Sequence, residues 1–339
     1  MEEILYIAHT DTGGNLGRQA REALNAALVL APEGKGLAVA VFGRGAAAAL
    51  QTLGGCGAGR YLVAEAAELE DSRYATDVAA IAALVDASGA AIVVGPGTAR
   101  FRRSFPGAAQ RCGGRVDTQV TAMEPAADGL RIQRWYYRQR MVATLTRASR
   151  PWFVLTASGA FAPWSGTAAA VDARPVAVEA ASRTRVLGVE TPEADSQTIR
   201  PEADVLLVAG AGWTKKQADG QTHAAQAEQL IREFLERAQA SLGSSKSLVD
   251  LSSEGEEVLS VFSHLNQVGQ TGMAPRHSKG LATCCHGEEP HTVGWRFINE
   301  RRAINLDPNC GWAQGKADVL YVADAFEVLA RVNALLTPE

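Results

Sequence analysis

Short apolar runs that alternate with longer helical stretches constrain the fold of the first 100 residues more than any other feature. Helical spacing fills the intervals over Leu16–Leu30, 45–53 and Tyr74–Val85. The runs are short and almost wholly apolar: ILYIAH at 4–9, LAVAVF at 37–42, YLVA at 61–64 and AIVVG at 91–95. Strands that are apolar on both faces and separated by helices predict a parallel, doubly wound sheet with helices on both sides.

The pattern changes after residue 115. From 115 to 156, runs rich in strand-forming residues follow one another with no long helix between them, which predicts an antiparallel extension of the first sheet. Residues 157–200 are rich in Ala, Ser, Thr and Pro, and their only strand-like runs are at 174–180 and 185–190. We therefore expect a first α/β domain over 1–190 and a linker over 191–203.

A second α/β unit begins at DVLLVAGAGW, residues 204–213. Apolar residues at helical spacing predict a helix from His223 to Leu242, and the chain ends with a strand-like DVLYVAD at 318–324 and a helix from Ala325 to Leu336. The predicted fold class is α/β with two domains, each a mostly parallel, doubly wound (Rossmann-like) sheet, the second over 204–339.

Composition excludes several classes of protein. A net charge of −4 and a pI of about 5.9 argue against a nucleic-acid-binding protein, which normally has a basic face. No apolar stretch approaches the ~20 residues that span a bilayer, so we expect no membrane insertion. Five scattered cysteines do not form a disulfide pattern, and we expect a reducing compartment such as the cytoplasm. No G-x-S-x-G nucleophile motif indicates hydrolysis.

Three further patterns have ordinary explanations. The cysteines and histidines at 277, 284–286 and 310 match no common zinc or iron–sulfur spacing, so no metal site is predicted. WYY at 135–137 is typical of a half-exposed strand face, although it could also stack on a ligand. RFRR at 100–103 follows a strand and starts a helix, and we expect a solvated helix end there in preference to a phosphate site.

The strongest local motif is QVGQTG at 267–272. Its two glycines let the backbone approach a ligand closely and expose consecutive N–H groups, while Gln and Thr add side-chain donors and acceptors. Alone, this motif is an ordinary polar loop. Three other segments accompany it in order: LGSSKSLVD at 242–250, AINLDP at 303–308, and Ala-Asp at 317–318 ahead of AFEVL.

This ordered series resembles the C-terminal FAD domain of the electron transfer flavoprotein α subunits. The family pattern includes a Gly-Arg-Gly loop, Gln-Val-Gly-Gln-Thr-Gly, Ala-Ile-Asn-Lys-Asp-Pro and an Ala-Asp close to the last helix. The resemblance implies bound FAD, a β-subunit partner and a donor dehydrogenase. It also implies an electron carrier that passes electrons to a downstream acceptor and is not an enzyme with its own substrate.

The resemblance also implies roles for individual residues. Thr271 falls near the flavin N5, with Val268, Gly269 and Gln270 along the ring or ribityl chain. His291 falls opposite the flavin pyrimidine O2, where a donor stabilises the negative charge that reduction places there. Ser245 falls at a phosphate-binding position. Asn305 and Asp318, with the adjoining Val319, fall where the family contacts adenosine.

The chain departs from the family pattern at three places. Gly-Arg-Gly is here Gly210-Ala211-Gly212, and the arginine next to the flavin ring is Lys246, which lacks a planar fork. The family's Gly-Ile-Ser-Gly-Ala-Ile-Gln is replaced by CCHGEEP. The predicted FAD-contacting residues of this loop are His286, Gly287, Glu288, Glu289 and Pro290, of which only Gly287 matches the family residue at its position.

These departures leave two alternatives open. The chain could be a scaffold subunit of a larger dehydrogenase complex whose flavin site has degenerated. It could also be a nucleotide-binding α/β enzyme without flavin, which leaves the QVGQTG series unexplained.

Overall fold

The protein is described by a computed structural model. It describes residues 2–126, 129–188, 190, 199–200, 203–254, 259–269, 274–283, 296–308 and 317–336. The chain divides into two compact units, Met1–Val189 and Glu190–Glu339. Within these ranges, no helix is long and apolar enough to cross a bilayer.

The first unit is built on a nine-stranded sheet with the order β7-β6-β5-β8-β4-β1-β2-β3-β9. All neighbours are parallel except β5–β6 and β6–β7, which are antiparallel, as the change of pattern after 115 predicts. The strands are β1 Ile4–His9, β2 Leu37–Phe42, β3 Arg60–Ala64, β4 Ile92–Pro96, β5 Arg115–Ala126, β6 Gly129–Tyr136, β7 Met141–Thr146, β8 Trp152–Thr156 and β9 Ala173–Pro175.

Helices cover both faces of this sheet. Alternate residues of β1 point to opposite sides, so Tyr6 lies in one apolar cluster and Leu5 and Ile7 in the other. Burial on both faces explains why these strands are continuous apolar runs. The helices are α1 Arg18–Leu30, α2 Ala46–Gln51, α3 Ala67–Glu70, α4 Tyr74–Ser88 and α5 Ala99–Arg111.

The second unit contains a five-stranded, wholly parallel sheet with the order β11-β10-β12-β13-β14. Together the two sheets confirm the predicted α/β, doubly wound fold class. The strands are β10 Val205–Ala209, β11 Ser241–Ser244, β12 His277–Thr283, β13 Ile298–Asn305 and β14 Val319–Val322. The helices are α6 Ala224–Ala238, α7 Lys246–Glu254 and α8 Ala325–Leu335.

Two predictions of secondary structure are wrong. The helix predicted to reach Leu242 ends at Ala238, because Gln239 adopts a left-handed conformation (φ 50°) and the chain enters β11 at Ser241. In the irregular segment after β8, only Ala173–Pro175 forms a strand, and 185–188, the described part of the second strand-like run, has none.

The prediction of a solvated helix end at 100–103 is wrong for Arg100. Its guanidinium is buried and contacts Asp77, itself fully buried, at 2.6 Å, and it also donates to the Leu69 carbonyl at 2.8 Å. Arg102 and Arg103 are exposed. The first turn of α5 is therefore held to α4 by a buried ion pair.

Candidate functional site

The loops after β10 and β11 and the last residue of β12 meet at the edge of the second sheet where its parallel strands end, which we call the carboxyl edge. The Gly210 N–H donates to the Thr283 carbonyl at 2.8 Å, and the Ser245 N–H donates to the Ala209 carbonyl at 2.8 Å. The chain runs from β10 to β11 on one side and then to β12 on the other. Such a switch point is where doubly wound sheets bind ligands.

Trp213 anchors the loop that contains Gly210, Ala211 and Gly212. Its side chain is fully buried, and its Nε1 donates to the Thr283 Oγ1 at 2.8 Å. Its ring packs against Phe326 with centroids 4.6 Å apart. The sequence identified GAGW only as a weak glycine motif, but burial of the indole fixes the position of this loop.

The first half of the QVGQTG motif lies beside β11. Gln267 forms an isolated parallel bridge with Ser244, and the Val268 N–H donates to the Ser244 carbonyl at 3.1 Å. A Cβ at Gly243 would lie only 2.7 Å from the Val268 Cγ2, so a glycine in β11 is what allows this close approach. Gly269 has a positive φ of 79°, which glycine adopts without strain.

Ser245 and Lys246 form the start of α7 at the same edge. The buried Ser245 Oγ accepts from the Leu248 N–H at 3.3 Å, the pattern of a helix N-cap. The Lys246 Nζ lies 3.3 Å from Asp250 Oδ2, and its side chain is half exposed. Lys246 is thus the first residue of α7 at this edge, and part of its charge is balanced within the helix.

Asn305 lies at the end of β13, next to the residues that follow β14. The Ala323 N–H donates to the Asn305 carbonyl at 3.2 Å. Asp324 caps α8, its Oδ1 accepting from the Phe326 N–H at 2.7 Å. Gly212, Asn305 and Asp324 together line a cavity of about 10 Å³, close to the volume that one water needs.

Asp318 and Val319 do not join this group. Val319 pairs with Arg302, whereas Val322 pairs with Asn305 at the carboxyl edge. Three residues of strand therefore separate Val319 from that edge, a distance of about 10 Å. Asp318 is exposed there, and its Oδ2 accepts from the Arg301 N–H at 2.6 Å.

Asp324 is a residue that the sequence prediction missed. Ala-Asp occurs twice in this stretch, at 317–318 and at 323–324. Only the second pair follows strand β14 and directly precedes the last helix. Ligands bind beyond the carboxyl ends of parallel strands, and this rule could have selected Asp324 from the sequence.

Eight of the predicted cofactor-binding residues lie outside the described residues, and their roles stay predictions. They are Gln270, Thr271, His286, Gly287, Glu288, Glu289, Pro290 and His291.

Buried polar atoms at the carboxyl edge fit a ligand such as FAD. The Ser244 Oγ and the Asn305 Oδ1 are buried and have no hydrogen-bond partner among the described residues. Unsatisfied buried groups are costly. The Ser244 hydroxyl could donate to a ligand phosphate or hydroxyl, and the Asn305 Oδ1 could accept from a ligand hydroxyl or amine. Helix α7 also begins here, and the positive end of its dipole favours phosphate.

Within the described ranges, no group of three or more His, Cys, Asp or Glu side chains could hold a metal ion. The polar and glycine residues described above lie at the switch point of the second sheet, which is the place where doubly wound folds bind ligands.

Comparison with known families identifies the first unit. The electron transfer flavoprotein domain matches residues 4–186, more than half of the 339-residue chain. The chain belongs to this family, whose members transfer electrons and do not act as catalytic enzymes. No curated protein matches the chain. The match ends before the five-stranded sheet, so the candidate site in the second unit depends on its own geometry.

Proposed function

We propose that this chain is the large α-type subunit of an electron transfer flavoprotein and that it holds FAD at the carboxyl edge of its second unit. In this function it accepts electrons from a partner dehydrogenase in the cytoplasm and passes them to a downstream acceptor. The observation that carries the proposal is the meeting of loops from β10, β11, β13 and β14 at one edge, with two buried polar atoms left unpartnered there among the described residues.

The described residues would hold the cofactor in distinct ways. The loop at 210–212 and the N-terminus of α7 suit phosphate, because both present backbone to the switch point. Asn305 and Asp324 suit the hydroxyl and amine groups of adenosine, with Asp324 comparable to the acidic residue that binds ribose in other doubly wound folds. Bound FAD supplies the redox chemistry, and the protein supplies its position and electrostatic surroundings.

A partner subunit is part of this proposal. The family match supports partnership with other electron transfer flavoprotein subunits or dehydrogenases. We propose a β subunit that forms a heterodimer with this chain. An obligate interface of this kind buries more than about 2,000 Å² in total.

One observation favours a second function, that of a flavin-free scaffold subunit. Lys246, which replaces the family's arginine, lies 3.3 Å from Asp250 and is half exposed. Its charge is therefore shared with a carboxylate of its own helix.

Flavin content separates the two functions. The chain, purified alone and with a co-expressed β-type subunit, is assayed for FAD by visible absorbance and by release on denaturation. The electron carrier contains close to one FAD per chain and is reduced by its dehydrogenase. A stable complex without flavin, even after reconstitution with FAD, would identify the scaffold instead.

A further inference from the structure

The hairpin of β6 and β7 ends one side of the nine-stranded sheet. β7 is the last strand in that direction, so its outer edge carries backbone N–H and C=O groups that no described strand pairs. Register between β6 and β7 is continuous from the Arg131–Thr146 pair to the Tyr136–Met141 pair. The edge strand is therefore regularly paired on its inner side and six residues long.

β7 lacks the features by which proteins protect an open edge. Its sequence, MVATLT, contains no charge and no proline, and the irregularity of this part of the sheet lies in β5, not in β7. Met141 and Val142 are each more than half exposed. An uncharged, unbulged edge with exposed apolar side chains is a ready template for another strand.

The turn of the hairpin adds exposed aromatic and basic side chains. Tyr136 and Tyr137 are more than half exposed, and the Arg140 guanidinium lies 5.8 Å from the centroid of the Tyr137 ring. Tyr137, Arg138 and Gln139 have consecutive positive φ values of 49°, 56° and 58°. Non-glycine residues there cost about 1–2 kcal/mol each, which suggests that these side chains are needed. Tyr, Met and Arg are also enriched at protein interfaces.

The net positive charge of the hairpin indicates that its partner carries negative charge. Residues 129–150 contain six arginines and no aspartate or glutamate, in a chain whose net charge is −4. Among the residues that the structure describes, ion pairs join four of the arginines to three carboxylates, so the six arginines outnumber those carboxylates. These contacts are Arg131 with Glu124, Arg134 and Arg147 with Asp117, and Arg150 with Glu2.

A second copy of this chain does not complement the charge at the open edge of β7. Two β7 strands paired antiparallel would place Arg138 and Arg140 at the tip of one hairpin beside Arg147 and Arg150 at the base of the other. The carboxylates that contact Arg147 and Arg150 only offset the charge of these two arginines, so a second copy brings no excess negative charge to the tip. An acidic strand has the complementary charge.

We propose that the outer edge of β7 is a docking site for an extended, acidic segment of a partner protein, which adds to the sheet as a tenth strand. Backbone hydrogen bonds to Met141–Thr146 provide the pairing. Arg138 and Arg140 contact the partner's carboxylates, and the exposed Tyr137 and Val142 contact its apolar side chains. The proposal is independent of the flavin site in the second unit.

The test uses the full-length chain and a capped ten-residue peptide that alternates Val or Thr with Glu. Fluorescence anisotropy measures binding, and hydrogen exchange measures protection of Met141–Thr146. Two control peptides carry Lys for Glu, or N-methyl groups on alternate residues. We expect the acidic peptide to bind with a Kd below about 1 mM and to slow exchange in β7. The lysine peptide binds at least about tenfold more weakly, and the N-methylated peptide shows no protection.

Charge-reversal variants locate the binding. Arg138→Glu with Arg140→Glu should weaken binding of the acidic peptide at least about tenfold. The control, Lys35→Glu with Arg331→Glu, makes the same change in net charge at exposed sites elsewhere and should leave binding unchanged. Absence of binding at about 1 mM, equal binding of the N-methylated peptide, or equal effects of both double variants would overturn the proposal. So would capture of anionic vesicles or an oligonucleotide in place of the peptide.

Discussion

Asp117 in β5 accepts hydrogen bonds from three side chains of neighbouring strands and loops, and replacing it tests how the sheet extension is held. It accepts from Arg134 at 3.0 Å, from Arg147 through two nitrogens, and from the Trp152 indole at 3.0 Å. Burial alone would raise the pKa of Asp117, but hydrogen bonds from Arg147 and Trp152 outweigh it and hold the pKa below its usual range.

Asp117→Asn removes the charge and turns an amide N–H₂ toward donors. Breaking a buried ion pair costs about 3–5 kcal/mol, but Arg134 and Arg147 keep some contact with water, so we expect about 2–3 kcal/mol. For a unit of this size, that loss lowers Tm by about 4–12 °C. The control is Glu124→Gln on the same strand, whose exposed pair with Arg131 contributes less than about 1 kcal/mol.

The pH dependence of thermal stability provides a second test of the role of Asp117. Because its folded pKa is depressed, its stabilisation is complete above the unfolded pKa of about 4 and is lost as pH falls through the lower folded value. The Tm difference between wild type and Asp117→Asn should be constant from pH 7 to about 4 and shrink below that. A difference no larger than that of Glu124→Gln, or one that grows in acid, would refute this reasoning.

Three further variants test other parts of the structure. Burial lowers the pKa of His9 to about 4, so stability should fall as pH drops from about 6.5 to about 4, and His9→Gln should flatten that slope in thermal unfolding. Arg100→Leu leaves the Asp77 carboxylate buried without this partner and should cost about 3–5 kcal/mol in urea unfolding, whereas the exposed Arg103→Leu should cost less than about 1 kcal/mol. Gly243→Ala places a methyl 2.7 Å from Val268 and should lower both FAD occupancy and stability, the latter by about 1–3 kcal/mol.

Sequence patterns predicted the strands that are buried on both faces. β1, β2 and β4 are continuous apolar runs because helices cover both of their faces. β11 was missed because Ser-Leu-Gly-Ser has weak strand propensity and Leu242 continues the helical spacing of Leu235 and Ala238. Helix α6 ends because Gln239 adopts a left-handed backbone conformation, and the spacing of apolar residues does not predict that conformation.

Most of the predicted site residues that the structure describes lie near the carboxyl edge, whereas Asp318 and Val319 do not, and their roles in binding stay predictions. Gly210–Gly212, Ser245, Val268 and Asn305 do meet at the carboxyl edge, because glycine and polar residues directly follow parallel strands. The position of a carboxylate along a strand is not visible in a motif, so Asp318 was selected where Asp324 lies at the edge. Ion pairs between distant residues, such as Asp77 with Arg100, depend on helix packing that spacing does not reveal.

The central claim, that FAD binds at the carboxyl edge of the second unit, is tested most directly by two aspartates at opposite ends of β14. Asp324→Ser keeps a good helix cap but removes the carboxylate, and Asp318→Ser is the matched control. The purified chain is reconstituted with FAD, and the Kd is measured by flavin fluorescence.

Loss of one hydrogen bond to a charged group is worth about 1.5–3 kcal/mol, so Asp324→Ser should weaken FAD binding about 10- to 150-fold. Asp318→Ser should leave the Kd within about twofold of wild type. Equal losses in both variants, a larger loss for Asp318→Ser, or a wild-type chain that takes up no FAD would contradict the account.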